Sequence, residues 1–341
     1  MIDPQILRED PEQIRASLRA RGGDEAHVDK AIAADTARRE AISAYEALRA
    51  EQNAFGKEVA GASGERKQEL LAQVKELSAR VKLASSAVDD AEREASEILG
   101  ALPNIVLEGV PSGGEENFVT LTEVGDIPSF EGVIKDHLDL GEALDILDME
   151  RGAKVSGSRF YFLKGAGALM EMALMNLGMK LALDNGFTPL ITPTLVKPEI
   201  MQGTGFLGEH SAEVYHLDDD DLYLTGTSEV ALAGYHSDEI IDISAGPLRY
   251  AGLSTCYRRE AGSYGKDTKG IIRVHQFQKL EMFSYVEPSQ AQAEHEAMLS
   301  WQEQMLQSLG LSYRVIDVAA GDLGSSAARK YDIEAWIPSQ G

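Results

Sequence analysis

The sequence predicts an α+β chain in two parts: an N-terminal antiparallel two-helix coiled-coil arm, then an antiparallel sheet flanked by helices. Three observations carry this. Small or apolar residues recur at alternating steps of four and three over Leu70, Val74, Leu77, Val81, Ala84, Val88, Ala91, Ala95 and Ile98, which is a heptad seam. Short β-rich runs with few intervening helices fill the second half, the pattern of a sheet with helices packed on it. Charge also divides the chain, at net −5 over residues 1–100 and −19 over the remainder.

The arm comes first. Ile42, Tyr45, Leu48, Gln52, Phe55 and Val59 repeat the heptad less cleanly, and only Gly61-Ala62-Ser63-Gly64 separates the two stretches. Two long helices therefore meet at a tight turn as an antiparallel hairpin. At 1.5 Å per residue, Asp24 to Ala60 makes an arm of about 55 Å, longer than a compact domain is wide. Leu102-Pro103-Asn104 ends the second helix, and the run from Gly109 to Gly114 (GVPSGG) reads as a linker. The predicted division is a helical arm domain, residues 1–104, and a second domain, residues 105–341. Within the second, Gly165 to Asp184 has helical periodicity and is apolar enough to be a buried helix. Strands are predicted at Thr188 to Thr192, Asp221 to Leu224, Leu248 to Cys256, Gln276 to Tyr285, Tyr313 to Val318 and Asp332 to Ile337, with a further helix at Ser289 to Leu309.

Composition narrows the function. With 43% hydrophobic and 26% charged residues the chain is an ordinary globular one, and its 341 residues exceed one hydrophobic core. A net charge of −24 argues against a protein that coats nucleic acid by bulk positive charge. The single Cys256 excludes a disulfide framework and a cysteine-rich zinc site, and fits a reducing compartment. The acidic N-terminus is unlike a signal peptide, and no run approaches the roughly 18 apolar residues of a membrane span. The expected location is the cytoplasm, with no membrane partner.

One stretch runs against the overall charge. From Arg249 to Glu281, Arg249, Arg258, Arg259, Lys266, Lys269, Arg273 and Lys279 face only Glu260, Asp267 and Glu281. Such focusing suits an anionic ligand, although pairing with surplus acids nearby would look the same. Within it, STCYRREAGSY at residues 254–264 and RVHQFQKLE at 273–281 resemble motif 2 of class II aminoacyl-tRNA synthetases, in the form used by seryl-tRNA synthetases. GFTPLITP at residues 186–193 looks like motif 1 of that class, and Thr227-Ser228-Glu229 looks like the serine-binding segment. The helical arm matches the family's tRNA-binding arm in position and length, so the resemblance covers essentially the whole chain.

The resemblance implies an enzyme, a serine–tRNA ligase with a class II catalytic domain, that joins L-serine to ATP as seryl-adenylate and transfers the seryl group to tRNA-Ser. It implies Arg258 at the α-phosphate, where charge builds in the transition state and a fixed cation helps most, and Arg259, Glu260, Val274 and Phe277 with it around ATP. Serine is expected at Thr227, Ser228, Glu229, Arg258 and Glu281, since carboxylates and hydroxyls accept from an ammonium and an alcohol. Phosphate contacts on an arm of net −5 fall to Arg38, Arg39, Arg49, Lys57, Arg66 and Lys67. Mg²⁺ is expected to bridge the ATP phosphates, and a homodimer is expected through the motif 1 region. Family members continue into motif 3, whereas this sequence stops at Gly341, so the chain as it stands is expected to be inactive without that segment. The alternatives are a catalytically silent tRNA-binding relative, or an amino-acid:carrier-protein ligase on the same fold, for which a long arm has no use. Bland roles are expected for Asp218 to Asp221 (a solvated hairpin turn), His275 (a strand histidine) and Cys256 (a small core residue).

Overall fold

The computed structural model describes residues 2–208, 211–261 and 269–340. Two compact units emerge, Met1–Val119 with Asp317–Lys330, and Thr120–Ile316 with Tyr331–Gly341.

The first unit is helical. Asp3 and Asp10 cap α1 (Pro4–Glu9) and α2 (Pro11–Arg21), each accepting from a backbone N–H of the first turn, with proline at the first helical position. The arm is α3 (Ala26–Gly61) and α4 (Gly64–Gly100). The turn falls where the glycines predicted it, and Gly64 takes a left-handed φ of 63°. Leu70, Leu77, Val81 and Ala95 of the heptad seam are buried, and its other members are half-buried. One polar layer crosses it, Gln52 Nε2 donating to Ser78 Oγ at 3.0 Å. At the base, Val28 and Ala31 of α3 and Leu99 of α4 join Leu7, Ile14 and Leu18 in a single core. The run read as a linker is stitched down instead. Gly113 donates to Ala20 O, while Ala320 and Gly321 donate to Pro111 O and Gly113 O. Only glycine fits at 321, where a Cβ would lie 2.5 Å from Gly113 O.

The second unit runs through β1 (Val119–Val124), α5 (His137–Ala143), β2 (Leu147–Asp148), α6 (Met149–Ser156), β3 (Phe162–Leu163) and α7 (Ala166–Asp184) to β4 (Thr188–Ile191). β5 (Leu195–Val196), α8 (Pro198–Gly203), β6 (Tyr215–Leu217), β7 (Leu222–Leu224) and α9 (Glu229–Ala233) follow. Then come β8 (Leu248–Tyr257), β9 (Gln276–Tyr285), α10 (Ala291–Ser308), β10 (Tyr313–Asp317) and β11 (Tyr331–Ala335). The sheet that matters for the site is ordered β4-β8-β9. β8 and β9 pair antiparallel over their full lengths, from Leu248↔Tyr285 to Tyr257↔Gln276. β4, however, runs parallel to β8, Thr188↔Tyr250 through Ile191↔Leu253, so the sheet is mixed and not wholly antiparallel. The long excursion between them, which carries the separate β5-β7-β6 sheet, gives the chain room to return in the same direction.

Alternation along β9 divides its side chains between two faces. Leu280 and Met282 pack with Ala182, Phe187, Ala251, Met298 and Trp301, so α7 and α10 cover one face. Arg249 fastens α10 there through Nε and Nη2 to Glu294 at 2.6 and 2.7 Å, its guanidinium 4.9 Å from the Trp301 ring. Phe277, Lys279 and Glu281 occupy the other face.

α7 departs from the expectation of a buried helix. Only Gly167, Gly178 and Ala182 are buried, while Leu169, Met170 and Met172 are exposed, as is Ile191 on β4. By length and composition α7 alone among the described residues could cross a membrane, closer to a span than the sequence suggested, although Glu171 and Lys180 interrupt it.

Candidate active site

Two groups of residues meet on the open face of β8 and β9. The first is built around Thr227. Gly252 lets the segment before α9 lie directly on β8, since a Cβ there would meet Leu232 Cδ1 at 2.9 Å and Ser228 Oγ at 3.1 Å. Ser228 Oγ donates to Gly252 O at 3.0 Å and is wholly buried, so it anchors the segment and is not available to a ligand. Register then places Glu281 opposite Gly252 and Lys279 opposite Ser254. Thr227 Oγ1 donates to Glu281 Oε2 at 2.8 Å and accepts from Lys279 Nζ at 3.0 Å, while Lys279 and Glu281 pair at 2.5 Å. Beside them the Glu229 carboxylate has no partner among the described residues. Burial, reinforced by the Glu281 charge and opposed by Lys279, raises its pKa above the ordinary glutamate value. The one cation of this group, Lys279, is already paired with Glu281, and the group holds a hydroxyl and a second carboxylate within reach of Glu229. It is suited to an ammonium that also carries a small polar group.

The second group lines a cleft of about 680 Å³, bounded by Phe206, Gly226, Arg258, Glu260, Val274 and Phe277 among others, a size in the range of small-molecule sites. Arg258 lies 5.3 Å over the Phe277 ring. Its backbone is fixed by donation to His275 O at 3.0 Å, and His275 Nδ1 contacts Arg258 O at 2.9 Å, so that histidine supports the arginine. Glu260 adopts a left-handed φ of 51° and accepts from Arg273 Nη1 at 2.9 Å. The charged stretch is thereby resolved. Arg249, Lys269, Arg273 and Lys279 are paired with acids, whereas Arg258 and Arg259 have no carboxylate partner among the described residues. Arg259 lies outside the cleft wall, 5.7 Å over the Tyr215 ring. Lys266, Asp267 and the Gly262-Ser263-Tyr264 end of the motif fall outside the described residues.

Comparison with known proteins gives the family. Residues 1–106 match the seryl-tRNA synthetase N-terminal domain, and residues 213–341 match the class II tRNA synthetase core domain (G, H, P, S and T). The serine–tRNA ligase of Clavibacter sepedonicus is 65% identical across all of this chain and 80% of its own length. The chain belongs to the seryl-tRNA synthetase family. The Nocardia farcinica ligase is 60% identical, again over the whole chain and 81% of its own length. Among solved structures, the seryl-tRNA synthetase from Pyrococcus horikoshii complexed with ATP is similar at 37% identity and a TM-score of 0.91, covering all of this chain and 82% of that one. The cytoplasmic serine–tRNA ligase from Naegleria fowleri in complex with AMP gives 33% and 0.86, over 99% of this chain and 80% of that one.

Within this seryl-tRNA synthetase fold, Lys279 is the site-lining residue that sequence reasoning undervalues. The spacing along one strand offers it only as a partner for Glu281, and its contact with Thr227, 52 positions away, follows from strand register. Cys256 is wholly buried opposite Phe277, its thiol pushed up by burial. Asp218 to Asp221 form the turn between β6 and β7, with His216 set between Asp218 and Asp221. Among the described residues no three His, Cys, Asp or Glu side chains converge as a metal site. On the arm, Lys57 and Lys67 are exposed, Arg49 donates to Gln52 and Arg66 pairs with Glu69. Arg38 and Arg39 both pair with the buried Asp35.

Proposed function

We propose that the cleft and the Thr227 group together activate L-serine with ATP, and that the arm receives tRNA-Ser. The serine ammonium sits against Glu229, and the hydroxyl against Glu281 and Thr227. The carboxylate oxygen attacks the α-phosphorus and the bond to pyrophosphate breaks. Arg258, able to hold two phosphate oxygens with its planar fork, meets the charge that accumulates there. Phe277 offers a flat face to the purine and Val274 an apolar wall, with Glu260 turned toward the same cleft. A terminal ribose hydroxyl of the tRNA then attacks the seryl carbonyl, and AMP leaves with its electron pair. Mg²⁺ enters with the ATP phosphates as part of the substrate, in keeping with its preference for one or two carboxylates plus phosphate oxygens.

Arg258 is the observation that carries this reading. In a stretch whose other cleft-side cations are neutralised, it lies over an aromatic ring with its charge unspent. The apolar side chains left open on α7 and β4 support a homodimer through the motif 1 region, because a second copy would cover them. A lone, buried thiol is consistent with a cytoplasmic location. The test is serine-dependent ATP–pyrophosphate exchange, run on this chain and on one continued over the remaining length of its relatives. Arg258→Ala should lower the rate by roughly 10²–10³-fold with an unchanged melting temperature. Exchange near the parent rate in that variant would remove Arg258 from the mechanism.

A further inference from the structure

At the base of the arm one buried carboxylate gathers three arginines. Asp35 on α3 is 1% exposed, and three arginines converge on its carboxylate. Arg38 Nη2 reaches Oδ1 at 2.9 Å, Arg39 Nε reaches Oδ2 at 3.2 Å, and Arg8 Nη1 from α1 reaches Oδ2 at 3.3 Å. The other ion-paired arginines of α2 and the arm each have a carboxylate that no second arginine shares. Arg15 has Asp29, Arg19 has Glu12 and Glu25, Arg66 has Glu69, and Arg93 has Asp90. Here one negative charge serves three positive ones, leaving +2 at a single point of a segment whose overall charge is −5.

Donor arithmetic points the same way. Three guanidiniums carry about fifteen N–H donors, while a carboxylate offers about four acceptor sites. Arg39 spends its Nε on Asp35, which leaves both Nη groups, the fork that grips two oxygens of one anion, without a partner among the described residues. The three side chains remain 28–54% exposed although their anchor is buried. The anchor stays charged, since hydrogen bonds from Arg38 and Arg8 outweigh the penalty of burial and hold Asp35 below the usual aspartate range.

We propose that Arg8, Arg38 and Arg39, positioned by Asp35, form a preset phosphate site at the base of the arm for the backbone of the bound tRNA. This rests on the reading of the arm as the tRNA-binding element. It adds Arg8 as a contact and Asp35 as a positioning residue, and it accounts for specific phosphate binding on an acidic arm, because arginines already fixed lose little side-chain entropy on meeting RNA.

The test is binding of a tRNA-Ser transcript to the full chain as a function of salt, with helicity checked by circular dichroism. Arg39→Ala leaves two arginines on Asp35 and should fold. Its Kd should rise roughly tenfold, the loss of one charge-assisted contact, and the slope of log K against log salt should fall by about 0.7–0.9, one phosphate fewer. Arg39→Lys should recover the slope but not the full affinity. Asp35→Asn adds net positive charge, yet should bind more weakly because the arginines lose their anchor. Tighter binding in that variant would overturn the positioning role, and an unchanged slope in Arg39→Ala would overturn the site. Lys67→Ala at the tip separates the two layers. If it weakens binding while Arg39→Ala does not, the phosphate site fails and the arm reading stands. If neither variant changes binding, the arm reading itself fails.

Discussion

Glu229 offers a perturbation in which function and stability move in opposite directions. Its carboxylate is desolvated, lies near the like charge of Glu281 and has no partner among the described residues, so it titrates above its ordinary value. A serine ammonium would supply a direct positive partner, which Lys279, paired with Glu281, does not. Glu229→Gln keeps shape and polarity but loses that charge-assisted interaction, worth about 1.5–3 kcal/mol, which converts to roughly 10–150-fold in serine affinity. Calorimetric titration with serine, or the serine KM in pyrophosphate exchange, reads it directly. The pH dependence carries a definite sign. Serine favours ionised Glu229, so affinity should rise with pH up to the raised pKa and then level off, and that limb should vanish in Glu229→Gln. Stability runs the other way. A carboxyl whose folded pKa is raised contributes stability that is full below its unfolded pKa and lost as pH rises through the folded value. Above the unfolded carboxylate value the raised pKa therefore opposes folding, and the Gln variant should melt at the same temperature or higher. Serine affinity within twofold of the parent, with the same pH limb, would refute the assignment of Glu229 to the ammonium.

Deleting residues 42–88 and rejoining the helices with a short glycine turn spares Val28, Ala31, Leu99 and the Asp35 cluster, and should weaken tRNA binding strongly while serine-dependent exchange persists; loss of exchange in a folded deletion would make the arm structural. Leu77→Ala opens a hole in the seam where the side chain is 4% exposed. It should cost about 2–5 kcal/mol, seen as faster hydrogen exchange along α3 and α4 with serine binding untouched, and unaltered exchange would mean that the seam is not what holds the arm. Asp35 has a depressed pKa, so its stabilisation is present above the unfolded carboxylate value and lost as pH falls through the depressed one. Urea unfolding at a series of acidic pH values should show that limb flattened in Asp35→Asn, and an identical limb would show that the three arginines contribute no net stability.

Elements governed by local periodicity are legible in the sequence. The arm's seam, its turn at Gly61 to Gly64 and the span of β9 all follow from spacings of 3.5 and 2 residues and from glycine. The motif around Arg258 is legible through its resemblance to motif 2 of class II synthetases, which is carried by residues close together in the sequence. Local signals cannot supply partners. Nothing near Lys279 in sequence announces Thr227, and nothing near Arg38 announces Arg8; register and helix packing bring those pairs together. Nor can composition separate a helix buried in its own chain from one left open, which is why α7, apolar along its length, reads as core.

What the sequence by itself determined is therefore the set of elements and the chemistry available to them, since hydrophobic period, turn residues and side-chain type are properties of neighbouring positions. Only the tertiary structure decided which charges are spent and which remain. Three cations of the Arg249 to Glu281 stretch, Arg249, Lys269 and Arg273, are neutralised by acids that folding brings close, Arg258 is left facing the cleft, and three arginines are gathered on Asp35. The physical reason is range. Coulombic and hydrogen-bond partners act over a few ångströms of space, whatever their distance along the chain, so the net charge at a site exists only once the chain has folded.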